Sequence, residues 1–163
     1  MMTRARTFTL GLIGLLAACD QRSVPSATVA QIEPAIAARY NAQCAAIARG
    51  DYQALVKTVG ERYTLRTLDG RVLSKRDALG MFVFPLLKPQ CSQAVERIEV
   101  RGDWAVVERR SSYVVTTSAG MPGTGPIVRA GERFVTLSRD TWALAPDGTP
   151  TLEASVMLSE APR

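Results

Sequence analysis

Two strand-forming segments meet in the stretch Val100-Arg101-Gly102-Asp103-Trp104-Ala105-Val106-Val107. The segment before the turn, Ala94 to Arg101, ends in alternating apolar and charged residues, which is the period of a half-buried strand. The segment after it, Trp104 to Thr117, is rich in Val, Tyr and Thr. This pattern predicts two strands joined at Gly102-Asp103, with a bulge where Glu108-Arg109-Arg110 interrupts the second strand.

Strand signals continue to the end of the chain. Residues 118–126 (S-A-G-M-P-G-T-G-P) read as a loop, and a long strand or bent strand follows from Ile127 to Leu144. After a turn at Pro146-Asp147-Gly148, the segment Thr151 to Leu158 alternates cleanly. The alternation predicts that one set of side chains points into the core: Leu152, Ala154, Val156 and Leu158.

The first half of the chain is mainly helical. Apolar residues recur at three- and four-residue steps from Thr28 to Arg49, and Gly50 is placed to end this helix. Asp51 can cap a second helix, predicted over Tyr52 to Val59. Many alanines in the first helix favour the helical conformation.

A hairpin and a third helix follow. A short strand from Arg62 to Leu68 precedes the turn signal Asp69-Gly70, and Arg71 to Leu73 returns. Ser74-Lys75-Arg76-Asp77 has the form of a helix-capping signal. The third helix carries an apolar side made of Ala78, Leu79, Phe82, Val83 and Leu86. Helices followed by long antiparallel strands predict an α+β fold.

Several local phrases resemble the nuclear-transport-factor-2-like superfamily, which is also called cystatin-like or polyketide-cyclase-like. They are A-A-I-A-R-G-D (45–51), D-G-R (69–71), V-R-G-D-W-A-V-V (100–107) and D-T-W (140–142). The resemblance implies a domain over residues 29–160, with three N-terminal helices packed in the concave face of a strongly curved, mostly antiparallel sheet. This cone often holds a small apolar ligand, and dimerisation through the open sheet face is expected.

Catalytic members of this superfamily, such as ketosteroid isomerases and polyketide cyclases, place an Asp base and a Tyr or Asp acid inside the cone. Such acids need apolar surroundings that tune their pKa. No Asp or Glu of this chain is carried over to those positions. The resemblance therefore assigns no catalytic residue and no cofactor.

The N-terminal segment is typical of a secretory leader. Arg4 and Arg6 precede an apolar run too short to span a membrane, and the run closes in Leu16-Ala17-Ala18-Cys19, which resembles the lipobox of bacterial lipoproteins. The resemblance implies a signal peptide over residues 1–18 and acylation of Cys19, followed by a flexible tether to residue 28. A plain secretory leader with a chance Cys is the alternative.

Lipidation would anchor the protein in the bacterial cell envelope, facing the periplasm in a Gram-negative cell. Asp20 resembles the residue that retains enteric lipoproteins in the inner membrane, so it favours that membrane weakly. Outside the cytoplasm, Cys44 and Cys91 suggest a disulfide, which would close a loop of about 48 residues and contribute roughly 4 kcal/mol. Two buried free thiols are the alternative.

Composition excludes several kinds of site. The chain contains no His, which excludes a His-based triad, a His general base and a His metal ligand within it. The formal net charge of +5 falls to +3 without the leader, and its charges are dispersed, so a concentrated nucleic-acid-binding face is absent from the sequence.

Aromatic residues are the candidates for a pocket lining, although at these spacings they are typical of a core: Tyr40, Tyr63, Phe82, Trp104, Tyr113, Phe134 and Trp142. Glu108, Arg110 and Arg133 interrupt apolar strands and could point inward, but cross-strand salt bridges on the outer face are favoured. Asp69, Asp103 and Asp147 read as turn residues.

The sequence supports three hypotheses of function. The first is a non-catalytic envelope lipoprotein that binds a small apolar ligand or a partner protein. It predicts an apolar cone with no inward carboxylate, and a buried Asp or Glu next to a Tyr at the mouth or floor of the cone would count against it. The second is an isomerase, cyclase or dehydratase that uses a carboxylate and a Tyr. The third is a structural subunit of an envelope assembly, with homodimer formation through the sheet.

Overall fold

Helices precede and interrupt a six-stranded sheet in the computed structural model, which describes residues 28–81, 89–116 and 130–162. The leader, Cys19, Asp20 and Phe82 lie outside the described residues. The elements run in chain order as α1 (Val29–Arg49), α2 (Tyr52–Val56), β1 (Val59–Arg66), β2 (Val72–Ser74), α3 (Lys75–Gly80), β3 (Gln90–Arg101), β4 (Trp104–Val114), β5 (Arg133–Leu144) and β6 (Pro150–Pro162). No helix in the described ranges is long and apolar enough to cross a membrane.

The sheet is curved and mostly antiparallel, with the strand order β2-β1-β6-β5-β4-β3. Only the β1–β6 pairing is parallel among the pairings of the described strands. The face that packs against the helices is called the inner face, and the opposite one the outer face. The predicted α+β class and sheet type are confirmed.

Helix α1 covers the inner face. Its buried stripe includes Ile32, Ile36, Tyr40 and Ile47, which recur at helical spacing as predicted. Gly50 ends the helix in the left-handed conformation at φ 66°, and its N–H donates to Ile47 O over 3.0 Å. Any residue with a Cβ would be strained there, which explains the glycine.

Helix α2 is shorter than predicted. Asp51 caps it, since Ala54 N donates to Asp51 Oδ1 over 2.9 Å, but the helix ends at Val56. Thr58 N and Thr58 Oγ1 both donate to Leu55 O, at 3.0 and 2.7 Å, which closes the turn and leaves Val59 to begin β1. The prediction of a helix to Val59 was therefore wrong.

The third helix begins at the predicted cap. Asp77 N donates to Ser74 Oγ over 3.3 Å, and Ser74 Oγ donates to Asp77 Oδ2 over 2.7 Å. Ala78 and Leu79 are buried against the core, as expected for the apolar side of this helix.

The bulges lie elsewhere than predicted. Between β3 and β4 the register shifts at Glu96 of β3, opposite the charged segment of β4 and not within it. In β6 the register against β5 shifts at Glu153 and again at Leu158. Each extra residue reverses the alternation that follows it.

Because of these bulges, part of the predicted inward-facing set of β6 was wrong. Leu152 is buried as predicted, but beyond Glu153 the inward positions pass to Ser155 and Met157. Val156 and Leu158, predicted to point in, lie on the outer side and are 36% and 39% exposed. Ala154 likewise pairs with Thr141 on the outer face.

Candidate functional site

A pocket of about 50 Å³ lies between α1 and the inner face of the sheet. Arg109 is the single charged residue among the described residues that line it. The other lining residues are Gln43, Ile47, Val59, Tyr63, Leu65, Gln93, Tyr113, Thr136, Ser138, Leu152 and Met157. The lining thus combines aliphatic side chains with amides, hydroxyls and one guanidinium.

Arg109 points inward because it alternates with Ala105 and Val107, which are buried on the same face of β4. Its guanidinium is fixed by neighbouring strands. Nε and Nη2 donate to Ser138 Oγ at 3.1 and 2.9 Å, and Nη1 donates to Gln93 Oε1 at 3.1 Å. One rigid donor group is thereby presented to the pocket.

Beneath Arg109 lies the buried carboxylate of Asp140, which is 0% exposed. Arg109 Nε is 3.1 Å from Asp140 Oδ2, and Tyr40 Oη donates to the same oxygen over 2.7 Å. Trp142 Nε1 in turn donates to Tyr40 Oη over 3.2 Å. Asp140 and Tyr40 do not belong to the pocket lining, so they form a layer below it.

Ring contacts hold the same layer together. The Tyr40 and Trp142 rings meet edge to face with centroids 5.3 Å apart, and Arg109 Cζ lies 5.1 Å from the Tyr40 ring centroid. Both arrangements are favourable orientations for an aromatic quadrupole. The phenol is therefore fixed by its ring as well as by its hydroxyl.

Burial and the Asp140 charge set the protonation of the neighbouring groups. Burial first, and then Asp140, raise the pKa of Tyr63 to about 12 and raise the pKa of Tyr40 further. Burial likewise raises the pKa of Tyr113. Burial is the largest single influence on Arg109 and lowers its pKa, but Asp140 and the surrounding Tyr113, Tyr40 and Tyr63 together raise that pKa overall. The phenols stay neutral and the guanidinium stays charged near neutral pH.

Some hydrogen-bonding capacity in this region is unused by the protein. Gln43 Nε2 is buried and has no partner among the described residues, and the same is true of Asp140 Oδ1. Gln43 lines the pocket and is only 4% exposed. Because buried polar atoms are normally satisfied, the Gln43 amide calls for an acceptor that is not part of the described chain.

A disulfide borders the pocket. Cys44 of α1 is bonded to Cys91 of β3, and their Cα atoms are 5.1 Å apart. Gln93 Nε2 lies 3.8 Å from Cys91 Sγ while its Oε1 accepts from Arg109. The bond therefore ties α1 to an edge strand next to two lining residues, Gln43 and Gln93.

The predicted pocket residues separate into distinct positions. Tyr63 and Tyr113 line the pocket, whereas Tyr40 and Trp142 lie beneath it. Trp104 is on the outer face and 41% exposed, because Ala105 beside it faces inward opposite Trp142. Its interpretation as a lining residue was wrong. Phe134 pairs with Tyr113 on the inner face but does not line the pocket.

The charged residues also separate by face. On the outer face Arg110 pairs with Glu96 at 2.7 Å, and Glu108 pairs with Arg139 at 3.0 Å, as the favoured interpretation expected. Arg133 is exposed. Among the described residues, the buried inward charges are Arg109 and Asp140, and the exposed Glu160 lies opposite Thr136 on the same face. The sequence singled out none of the three as a candidate.

A strict two-residue alternation along β4 and β5 would have predicted that Arg109 and Asp140 point inward. Counting from buried Val107 puts Arg109 inside, and counting from Trp142 puts Asp140 inside. The expectation of a cone without an inward carboxylate was wrong, since Asp140 is fully buried beside Tyr40.

This arrangement can bind more readily than it can transfer protons. The open donors of Arg109 and Gln43 can hold an oxygen atom of a ligand. Asp140 Oδ2 accepts from Tyr40 beside Arg109 Nε, and the unpartnered Asp140 Oδ1 is buried outside the pocket lining. A general base must reach the proton that it removes, and Asp140 does not line the pocket. No cluster of three or more His, Cys, Asp or Glu side chains suited to a metal ion occurs within the described ranges.

Comparison with known proteins finds similarity in structure alone. No protein-family model and no curated protein matches this sequence. A conserved protein from Planctomyces limnophilus superimposes with a TM-score of 0.63 at 15% identity, over 80% of this chain and 97% of that chain.

Two further solved structures share this arrangement. A nuclear-transport-factor-2-like protein of unknown function from Shewanella baltica has a TM-score of 0.56 and 13% identity, over 84% of this chain and 98% of that chain. A ketosteroid isomerase-like protein from Erwinia carotovora atroseptica has a TM-score of 0.52 and 16% identity, over 80% and 95% of the two chains. The chain therefore has the nuclear-transport-factor-2-like, or cystatin-like, fold.

Proposed function

We propose that this chain is an envelope lipoprotein whose folded domain binds a small ligand beside Arg109 without transforming it. The observation that carries the proposal is the unpartnered Nε2 of Gln43, which lines the same pocket as the Arg109 guanidinium. Leaving a buried donor unpaired costs about 1–3 kcal/mol, and an acceptor atom of a ligand would remove that cost.

Membrane anchoring is the second part of the proposal, and the sequence Leu16-Ala17-Ala18-Cys19 supports it. Acyl chains on Cys19 would hold the domain at the membrane through the polar tether, and Asp20 favours the inner membrane. The test is expression of Cys19→Ala in a Gram-negative host, with Gln21→Ala as the matched control. We expect the control in the membrane fraction with acyl mass on Cys19. Equal distribution of the two variants would contradict anchoring.

Ligand binding is tested with four three-carbon solutes: propionamide, propionate, propylamine and propanol. The chain has two Trp residues, so the indole N–H region of a ¹⁵N–¹H spectrum contains one reporter near the site and one remote from it. Trp142 donates to Tyr40, whose ring contacts the pocket residue Arg109, whereas Trp104 lies on the outer face. We expect at least one solute to shift the Trp142 signal saturably and leave Trp104 in place. No saturable shift with any solute would contradict binding.

An acid–base enzyme is the second candidate, favoured by the Tyr40–Asp140 hydrogen bond of 2.7 Å. The structural similarity to a ketosteroid isomerase-like protein is compatible with it. Exchange of the α-protons of butanone in D₂O distinguishes the candidates. Binding alone predicts exchange at the buffer rate. Faster exchange that Asp140→Asn abolishes would favour the enzyme.

Assembly with a second copy or an envelope partner is supported by the exposed Val156 and Leu158 of β6 on the outer face. Such exposed apolar side chains can be covered by a partner sheet. Light scattering of the full-length protein in detergent gives the protein mass of the particle. A dimer mass is expected, and a strictly monomeric mass would remove this support.

A further inference from the structure

We infer that the pocket selects uncharged ligands that carry an oxygen acceptor, such as an amide or a ketone, and rejects carboxylates. Asp140 is the residue that sets this selectivity, although it touches no ligand. This inference rests on the proposed ligand-binding function and names the ligand class for the same pocket.

The unused hydrogen-bonding groups at the pocket are donors. A guanidinium has five N–H groups. In Arg109, Nε and one N–H of Nη2 donate to Ser138, and one N–H of Nη1 donates to Gln93. One N–H on each terminal nitrogen remains open within the described chain. Gln43 Nε2 adds a further open donor. The complementary ligand group is therefore an acceptor.

The Arg109 charge is already balanced within the protein. The positive charge of Arg109 is matched by Asp140, whose oxygen lies 3.1 Å away and which is 0% exposed. The tyrosines around the pair have raised pKa values and are neutral, so they supply no further charge. A carboxylate bound at Arg109 would be a second anion opposite one cation. Burying an uncompensated charge is strongly unfavourable.

The pocket also disfavours cationic ligands. An ammonium would approach the Arg109 guanidinium, and no anionic side chain is part of the described lining. An uncharged carbonyl avoids both penalties and still accepts from Arg109 and Gln43. The aliphatic part of the ligand would contact Ile47, Leu65 and Leu152.

The pocket volume limits the size of the ligand. A cavity of about 50 Å³ accommodates a few water-sized groups, since one water needs roughly 10–15 Å³ on the same measure. A three-carbon amide is thus a suitable probe. Propionamide and propionate have the same number of heavy atoms and differ in charge, so their affinity ratio isolates the charge contribution.

The experiment is a titration of the full-length wild-type protein with each probe, followed by the Trp142 indole signal. We expect propionamide to bind at least about tenfold more tightly than propionate. A ratio below tenfold in favour of the amide overturns the inference, while saturable binding by either probe leaves the proposed function standing. If neither probe nor the other two solutes bind, the proposed function itself fails.

Two variants test the role of Asp140. Asp140→Asn keeps the size and an acceptor for Tyr40 but leaves the Arg109 charge uncompensated. We expect it to bind propionate at least about tenfold more tightly than the wild type does, with propionamide changed by less than about threefold. Glu108→Gln is the matched control, because it removes an outer-face carboxylate that also pairs with an Arg. Its affinity ratio should equal that of the wild type.

An unchanged ratio in Asp140→Asn, or an equal change in Glu108→Gln, overturns the assignment of selectivity to Asp140. If Asp140→Asn does not fold, the wild-type ratio alone decides whether the ligand class stands.

Discussion

Strands β4 and β5 carry charged side chains on both faces, and the two faces treat them differently. On the inner face, Arg109 and Asp140 are almost entirely removed from water. Asp140 accepts a hydrogen bond from Tyr40, and Arg109 donates to Ser138. On the outer face, Arg110 and its partner Glu96 have side chains that are 48% and 39% exposed. The same residue types thus occur in two dielectric environments.

The difference determines what each pair contributes. An exposed ion pair is screened by water and typically contributes about 0–1 kcal/mol. A buried pair gains little over a well-packed apolar pair, but removing one partner leaves an unpaired charge in the core and costs about 3–5 kcal/mol. The inner pair is therefore sensitive to single substitutions and the outer pair is not.

The largest expected effect comes from breaking the inner pair. Asp140→Ala leaves the Arg109 charge unpaired and the Tyr40 hydroxyl without an acceptor, so the free energy of unfolding should fall by about 3–5 kcal/mol. Urea denaturation measures it, with the outer-face Glu108→Ala as the control. The double variant Arg109→Met/Asp140→Leu should recover part of the loss. A fall no larger than that of Glu108→Ala would contradict the comparison.

Removing the Cys44–Cys91 disulfide should cause the next largest loss in the free energy of unfolding. Replacing Cys44 and Cys91 with Ser removes a cross-link over a sequence separation of 47 and should lower the free energy of unfolding by about 2–4 kcal/mol. Denaturation with and without reductant measures it. Reductant should destabilise the wild type by a similar amount and leave the double variant unchanged. Equal sensitivity of both proteins to reductant would show that the bond is absent.

Alkaline pH offers a third test of the inner face. Burial, and then Asp140, raise the pKa of Tyr63 from 10.0 to about 12. The folded state thus keeps a proton that the unfolded chain loses first, so the contribution is complete below pH 10 and is lost as the pH rises toward 12. The loss should be on the order of 2 kcal/mol. Tyr63→Phe should show a shallower decline between these pH values, and an identical decline would refute the assignment.

The smallest effect is expected on the outer face. Arg110→Ala breaks the exposed pair with Glu96 and should change the free energy of unfolding by less than about 1 kcal/mol. The change should shrink further in about 1 M salt, where exposed charges are screened within about 3 Å. Denaturation at low and high salt measures both. A salt-independent loss comparable to that of Asp140→Ala would remove the distinction between the faces.

Much of this architecture could be predicted from local sequence signals. The caps at Asp51 and Ser74 and the helix end at Gly50 act within a few residues, so the sequence contains all that decides them. The class of the fold follows from the order of these elements. The β6 bulges were not predictable in this way, because Glu153 and Leu158 interrupt an alternation that looks regular along the strand.

The candidate site depended partly on information that one strand does not contain. Alternation from Val107 places Arg109 on the inner face, but the three consecutive charges Glu108-Arg109-Arg110 look like a single interruption of the strand. Its partner Asp140 comes from the neighbouring strand, and only the pairing of Arg109 with Ser138 brings the two together. The aromatic residues were conspicuous in the sequence, yet Trp104 proved to be an outer-face residue.

A crystal structure of the protein grown with propionamide would show whether the open donors of Arg109 and Gln43 form a ligand site. We expect the amide oxygen within hydrogen-bonding distance of an Arg109 terminal nitrogen and Gln43 Nε2, with Asp140 still paired to Arg109. A structure in which the probe is absent, and both side chains are satisfied by protein atoms alone, would contradict it.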